Sequence, residues 1–299
     1  METVVVGSFT PSVLLDVAAS SGRLREHDLA VTEVPVTSSP GQFRSLIDGE
    51  LAIGLTSPDN VLAYRFSPGN PLGELADVRI VGALDRGLGL GLYVRAGLTA
   101  GDLRGAQVGV DVATSGFALA LYALAESLGV RRDEYDLVAL GSTPRRLEAL
   151  LAGDCAATML NAGNELAAEA AGCVRLASVH EVCAPYLGTV VAVAGTTFLE
   201  PAERLTAALT ATGAAILSGD LAEAAREAAG RRLGLAPDLA ARYVERLADP
   251  AQGLVPDGGV DRASLQTLVR LRTTYLPEVV DGHDVLEAAL AEDSGLVQR

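Results

Sequence analysis

TSSPGQFRSLIDGELAIGLTSPDNVLAY (residues 37–64) and GSTPRRLEALLAGDCAATMLNAGNELAA (residues 141–168) are two versions of one unit. In register, Ser38 meets Ser142, Pro40 meets Pro144, Leu46 meets Leu150 and Gly49 meets Gly153. Further along, Ala52 meets Ala156, Asn60 meets Asn164, Leu62 meets Leu166 and Ala63 meets Ala167. Each copy reads as a helix, a Gly-acid turn, a buried strand, a polar loop and a second helix. The unit is too large for a solenoid repeat and too short for an array. It predicts two similar α/β lobes facing each other, with a small molecule bound in the crevice at the carboxyl ends of the strands.

The chain has 299 residues, 49% of them apolar and 4% aromatic. That length allows one to three domains with a sizeable core, and the composition is globular. A formal charge of -15 argues against nucleic acid and anionic membrane surfaces as partners and serves solubility. Cys155, Cys173 and Cys183 are odd in number and show no C-x-x-C spacing, so neither a disulfide framework nor a structural zinc site is expected. His27, His180 and His283 are scattered, with no i, i+4 pair to hold a metal. No cofactor is expected. No apolar run approaches the roughly 18 residues that span a membrane. Met1 leads within two residues into a strand, without the segments of a signal peptide. As written, the chain is expected to be a cytoplasmic monomer, or periplasmic or cell-surface if a leader precedes it.

The opening strand TVVVG leads through Ser8-Phe9-Thr10-Pro11 into an amphipathic helix, with Ser8 or Thr10 as N-cap and Pro11 at the first helical position. A strand over 29–36 and a strand over 51–55 are each followed by a capped helix. Strands alternating with helices imply a largely parallel sheet. Residues 78–97 read as two extended segments around Asp85-Arg86-Gly87, the second carrying the chain to the other lobe. There the strand QVGVD, a long helix over 117–129, a strand over 136–140 and the second repeat copy follow. Residues 188–194 are the expected return crossing. From Pro201 onward the chain reads mostly as amphipathic helix packed around the first lobe. The lobes are placed at residues 1–86 with 192–299, and at 87–191.

Taken in order, VVVGSFT, LIDGELAIGLTSPDNVLAY, DLRGAQVGVD, TSGFAL and LLAGDCAATMLN make the chain resemble the type II periplasmic-binding-protein fold over roughly residues 3–200. Within that fold it resembles the nitrate/sulfonate/taurine-type solute-binding family of ABC transporters, which includes thiamin-pyrimidine proteins. The resemblance implies a cleft between two Rossmann-like lobes that closes on a small anionic organic ligand of sulfonate, carboxylate or pyrimidine type. For exported members it also implies delivery to an ABC permease. It places binding groups on the loops after the strands: Ser8, Phe9 and Thr10; Ser38 and Ser39; Thr56, Ser57 and Asn60; Thr114, Ser115 and Gly116; and Asn161. Two departures stand out. Exported members carry a signal peptide or lipoprotein Cys, which finds no match here, and enzyme-like relatives use site His or Cys residues that find none either.

The chemistry of these loops supports the same edge. Helix N-termini carry unpaired N–H groups and attract anions, and small hydroxyl residues admit a ligand to the backbone. The plainer role of each hydroxyl is to cap its helix. Arg86 stands near the crossing, where it could pair with a ligand acid or with Asp85 in a solvated turn. Arg145 and Arg146 open a helix after a strand; one could enter the cleft, exposed helix charge being the simpler reading. Asn164, matched to Asn60, reads as a shared cap. Tyr186 could stack on ligand or pack the hinge.

Two other readings stand beside the solute-binding one. For an enzyme on this scaffold (a lyase, decarboxylase, desulfinase or pyrimidine-forming protein), Cys183 with His180 would be the nucleophile pair and Asp111 the acid or base. A buried structural thiol and a helix cap are their plainer roles. The third reading is a cytoplasmic ligand sensor, and the fold does not decide among the three.

Overall fold

The computed structural model describes residues 1–280 and 283–298; Asp281, Gly282 and Arg299 lie outside the described residues. Lobe one opens with β1 (Glu2–Ser8), α1 (Val13–Ser20), α2 (Arg23–Glu26), β2 (Leu29–Pro35), α3 (Ser39–Ile47), β3 (Ile53–Thr56), α4 (Pro58–Phe66) and β4 (Val78–Asp85). The chain then enters lobe two with β5 (Gly91–Val94), β6 (Gln107–Val110), α5 (Gly116–Ser127), β7 (Asp136–Ala139), α6 (Thr143–Ala152), β8 (Ala157–Leu160), α7 (Asn164–Ala170) and β9 (Val174–Ser178). It returns through α8 (Val179–Val182) to β10 (Thr189–Ala194). Helices α9 (Leu199–Leu217), α10 (Ala222–Leu233), α11 (Pro237–Ala248) and α12 (Arg262–Tyr275) follow, and the short strands β11 (Val279–Val280) and β12 (His283–Asp284) pair antiparallel.

The two sheets share one plan. The first runs β2-β1-β3-β10-β4 and the second β7-β6-β8-β5-β9. In each, three parallel strands stand beside a crossing strand that runs antiparallel to both of its neighbours. β3, β5 and β8 are buried at every residue, which is why they read as continuous apolar runs rather than alternating ones. Gly49 (φ +77°) and Gly153 (φ +88°) occupy the same repeat position and end their helices left-handed, a conformation that favours glycine.

Several expectations are corrected. α1 starts at Val13, capped by Ser12, whose Oγ accepts the Leu15 N–H at 3.2 Å; Ser8, Thr10 and Pro11 precede it. β9 is a strand the sequence reading passed over. The return strand β10 lies wholly in the first sheet, so the return crossing is the segment before it, residues 179–188. The helical C-terminal third ends at Tyr275, and its last helix does not serve lobe one alone: α12 packs on both α4 and α5. Leu265, Leu268 and Leu271 of α12 join one apolar core with Leu62 and Ile80 of lobe one and Leu92 and Leu119 of lobe two.

Where the two crossings meet, the backbone leaves no room for a side chain. The Gly188 N–H donates to the Asp85 carbonyl at 2.9 Å. A Cβ on Gly188 would overlap Asp85 Oδ1 and stand 2.5 Å from both Cα and N of Gly87. Gly188→Ala should therefore lower Tm by several degrees, overpacking of this kind costing about 1–3 kcal/mol or more. Gly213, inside α9, offers the control: a Cβ there meets only Leu254 Cδ1, at 3.5 Å. Gly213→Ala should hold or raise Tm, alanine being favoured over glycine in a helix by about 0.5–1 kcal/mol. Thermal melts of the two variants check the pair.

Candidate functional site

The parallel strands of both sheets end at one cleft, whose loops line a cavity of about 120 Å³. Lobe one contributes Ser8 at the end of β1 with Phe9 and Thr10 beyond it, Thr56, Ser57 and Asn60 around the start of α4, and Asp85 at the end of β4. Lobe two contributes Asp111 and Ser115 between β6 and α5, Gly116 and Phe117 at the start of α5, Thr143 and Arg146 on α6, and Asn161 after β8. Tyr243 and Leu247 of α11, with Leu254 beyond it, add apolar wall.

Four helices, α1, α4, α5 and α6, begin at this cavity. Serine hydroxyls fix three of the starts: Ser12 Oγ caps α1, Ser57 Oγ accepts the Asp59 N–H at 3.3 Å, and Ser115 Oγ accepts the Ala118 N–H at 3.4 Å. The N–H groups of Val13, Leu14, Gly116, Phe117 and Thr143 have no hydrogen-bond partner among the described residues. These are the orphan donors that every helix start leaves, at the positive end of its dipole. The hydroxyls thus hold the helices in place, and the backbone offers the free donors.

Arg146 supplies a full charge and is 2% exposed. Its Nε donates to the Met159 carbonyl at 3.3 Å, Nη1 to the Gly141 carbonyl at 2.5 Å and Nη2 to Thr143 Oγ1 at 2.9 Å. All three acceptors are neutral, and no salt bridge among the described residues includes this guanidinium. Burial pulls its pKa down to about 10, with Asp111 holding it up, so it stays cationic at neutral pH. Gln42 holds the matching repeat position in lobe one, where its Nε2 donates to the Gly7 and Leu55 carbonyls at 3.0 and 3.2 Å. Leu55 is the repeat counterpart of Met159. The same helix-to-strand link is built with a neutral amide in lobe one and a cation in lobe two.

Three buried carboxyls complete the electrostatics. Asp111 Oδ2 accepts the Ser39 N–H at 3.1 Å across the cleft, and its Oδ1 has no partner among the described residues. Asp85 Oδ1 accepts the Gly87 N–H at 2.8 Å; burial pushes its pKa up to about 6, against the lowering pull of hydrogen bonds from Thr189 and Gly87. Glu165 lies outside the cavity, its Oε2 accepting the Gly163 N–H at 2.7 Å, and burial pushes its pKa up to about 7.

No protein-family model and no curated protein matches the chain. Solved structures do. A protein from Bordetella bronchiseptica RB50 superimposes with a TM-score of 0.79 at 15% identity, over 100% of this chain and 95% of that one. The alkanesulfonate-binding protein SsuA from Xanthomonas axonopodis pv. citri, bound to MOPS, gives 0.70 at 18% identity, over 91% and 90%. A conserved Candida albicans gene product, described as exhibiting the generic periplasmic binding protein structural fold, gives 0.71 at 16% identity, over 100% and 98%. This chain has the periplasmic-binding-protein fold.

That fold places the residues singled out from sequence as follows. Ser8, Phe9, Thr10, Thr56, Ser57, Asn60, Ser115, Gly116 and Asn161 line the cavity. The Ser8 hydroxyl is already engaged, donating to Glu33 Oε1 at 2.5 Å, and Asn161 Nδ2 donates to the Gly87 carbonyl at 3.2 Å. Five others are not among the lining residues. Ser38 Oγ caps α3, and the Ser39 N–H bonds Asp111. The Thr114 carbonyl accepts from Arg272, Arg86 Nη1 donates to the Leu254 carbonyl at 2.9 Å, and Tyr186 is buried at the crossing. Of the catalytic candidates only Asp111 reaches the cavity. Cys183 is buried outside it, burial pushing its thiol up to about 11, and His180 is exposed on α8.

The choice between Arg145 and Arg146 that the sequence left open, and the lining residues it did not single out, have traceable signals. Arg146 sits opposite Gln42 in the repeat, at a position that faces strand rather than solvent, whereas Arg145 is exposed as a helix charge should be. Asp85 ends a strand whose other residues are apolar except Arg79. Tyr243 and Leu247 belong to the buried stripe Ala240, Tyr243, Val244 and Leu247 of α11, which has helical spacing but no polar mark of a site.

Asp85 and Glu165 bind a proton more tightly in the folded chain than in the unfolded one. Stability should therefore fall as pH rises, from 3.8 to about 6 for Asp85 and from 4.5 to about 7 for Glu165. Melts at pH 5, 6, 7 and 8 should show Tm declining for the parent chain. A flatter profile is expected for Asp85→Asn with Glu165→Gln, each shift amounting to a few kcal/mol at most.

Proposed function

We propose that the chain is a solute-binding protein whose lobes close on a small organic acid. The observation that carries this reading is the Arg146 guanidinium, buried at the cavity with neutral partners only. No carboxylate bonds this buried cation, although Asp111 in the same cavity favours its charge; taking such a charge out of water costs several kcal/mol, and a ligand acid group offsets that cost. Sulfonate or carboxylate oxygens can accept from the guanidinium and from the free first-turn N–H groups of α1, α5 and α6 together. Leu84, Leu88, Leu247 and Leu254 give the ligand's carbon body an apolar wall. Because donors come from both lobes, ligand favours the closed arrangement. The likeness to an alkanesulfonate-binding protein puts sulfonates first among the acids to try. Delivery of the bound solute to an ABC permease is the role assigned to an exported form.

The test is a thermal-shift screen over alkyl and aryl sulfonates, aromatic carboxylates, pyrimidines and small oxyanions, with mass spectrometry of each hit. A ligand at about 100 times its Kd adds roughly 2.7 kcal/mol, a shift of several degrees. Hits should be acids recovered intact, and Arg146→Met should weaken them by more than about tenfold, a charge-assisted pair being lost, while the variant stays folded. Acids that bind Arg146→Met as well as the parent would sink the reading, and a converted ligand would replace it with catalysis.

A further inference from the structure

Helix α12 lies outside both sheets, yet it sends one side chain to the place where the lobes touch. Arg272 Nε donates to Asp59 Oδ1 at 3.0 Å and Nη2 to Asp59 Oδ2 at 2.5 Å. The same Nη2 donates to the Thr114 carbonyl at 2.9 Å. Asp59 belongs to the first turn of α4 in lobe one, and Thr114 to the loop that opens α5 in lobe two. Both charged side chains are almost wholly buried, at 3% and 1% exposure. The two helix starts abut so closely that a Cβ on Gly116 would come within 2.6 Å of Asp59 Cβ and 2.9 Å of Ser57 Oγ. Ser57, Asn60, Ser115 and Gly116, the immediate neighbours of this contact, line the cavity.

Two helix N-termini brought together repel, since each carries partial positive charge. The Asp59 carboxylate between them offsets that repulsion, and Arg272 keeps the carboxylate from being a lone buried charge. α12 is itself tied to lobe two, where Tyr275 Oη donates to Glu126 Oε2 at 2.6 Å and its ring meets Tyr122 edge-on at 5.5 Å. Other polar contacts between the lobes among the described residues are single or solvated, among them Ser39 N–H to Asp111, Leu88 N–H to the Gln252 carbonyl at 2.8 Å, Asn164 Nδ2 to Thr10 Oγ1 at 3.4 Å, and Arg242 with Glu169. We propose that Arg272 is a positioning residue that pins the lobes closed. It acts through Asp59 and the Thr114 carbonyl, and it holds the α4 and α5 starts at the spacing a ligand needs. The pin itself does not require the ligand to be an acid; only the affinity arm of the test rests on that reading.

The variant to make is Asp59→Asn with Arg272→Gln, which removes the pin without stranding a buried charge. Spin labels at Glu50→Cys and Glu148→Cys, exposed sites on the two lobes, report their separation by pulsed EPR; Cys155, Cys173 and Cys183 are buried. The parent protein, without ligand, should give one narrow distance, and the double variant a broader, longer distribution. With butanesulfonate as probe, Kd should rise about tenfold if the closed fraction falls to about a tenth. An unchanged distance distribution in the double variant overturns the pin, whatever its Tm does. So does a widened distribution with unchanged butanesulfonate affinity. A widened distribution in a protein whose parent form binds no acid at all supports the pin and overturns the acid-ligand reading instead.

Discussion

Two segments of chain must pass between the lobes through one gap, and the architecture depends on how tightly they do so. The outgoing segment leaves β4 at Asp85 and the returning one enters β10 at Thr189, with Gly188 pressed against Asp85 and Gly87. Only hydrogen fits there. The Asp85 carboxyl, capping the Gly87 N–H, also lines the cavity, and Asn161 reaches the Gly87 carbonyl from lobe two. Groups that face the ligand space are therefore bonded to the backbone about which the lobes would turn. A contact made in the cavity reaches the crossing through one hydrogen bond.

The cavity is polarised by the repeat rather than by composition. Both lobes present helix starts with unpaired N–H groups, so both are weakly positive. At the one position where the copies diverge from amide to guanidinium, lobe two acquires a whole charge, in a chain whose overall charge is -15. An acidic protein can hold an anion in its interior because burial isolates the site from the surface: fields weaken within about 8–10 Å in saline solution, whereas buried groups are screened much less.

Much of this was legible beforehand, for a physical reason. The pairings of Gly49 with Gly153 and of Leu46 with Leu150 mark helix ends and apolar faces, and such local constraints show in a sequence. They disclosed two α/β lobes and the loops after their strands. What sequence concealed depends on distant partners. Arg146 and Arg145 are identical neighbours, separated only by which face of α6 meets β8. The hydroxyls of Ser57 and Ser115 stand on loops that line the cavity and that of Ser38 does not, but all three cap their helices, leaving the backbone N–H groups as free donors. Arg272 and Tyr243 come from a C-terminal third that carries no motif, and only the packing of α11 and α12 against the lobes brings them to the cleft.

The order of strands in the first sheet also sets the order of its assembly. β4 pairs within that sheet only with β10, which is made after the whole of lobe two. Every strand of lobe two is present once residue 178 has emerged, whereas β4 must wait with an unpaired edge while the intervening lobe folds. Closing so long a loop costs only modestly more entropy than closing a short one, but it places the completion of lobe one last. The cleft, which needs both lobes, cannot exist as a site until the final third of the chain is in place.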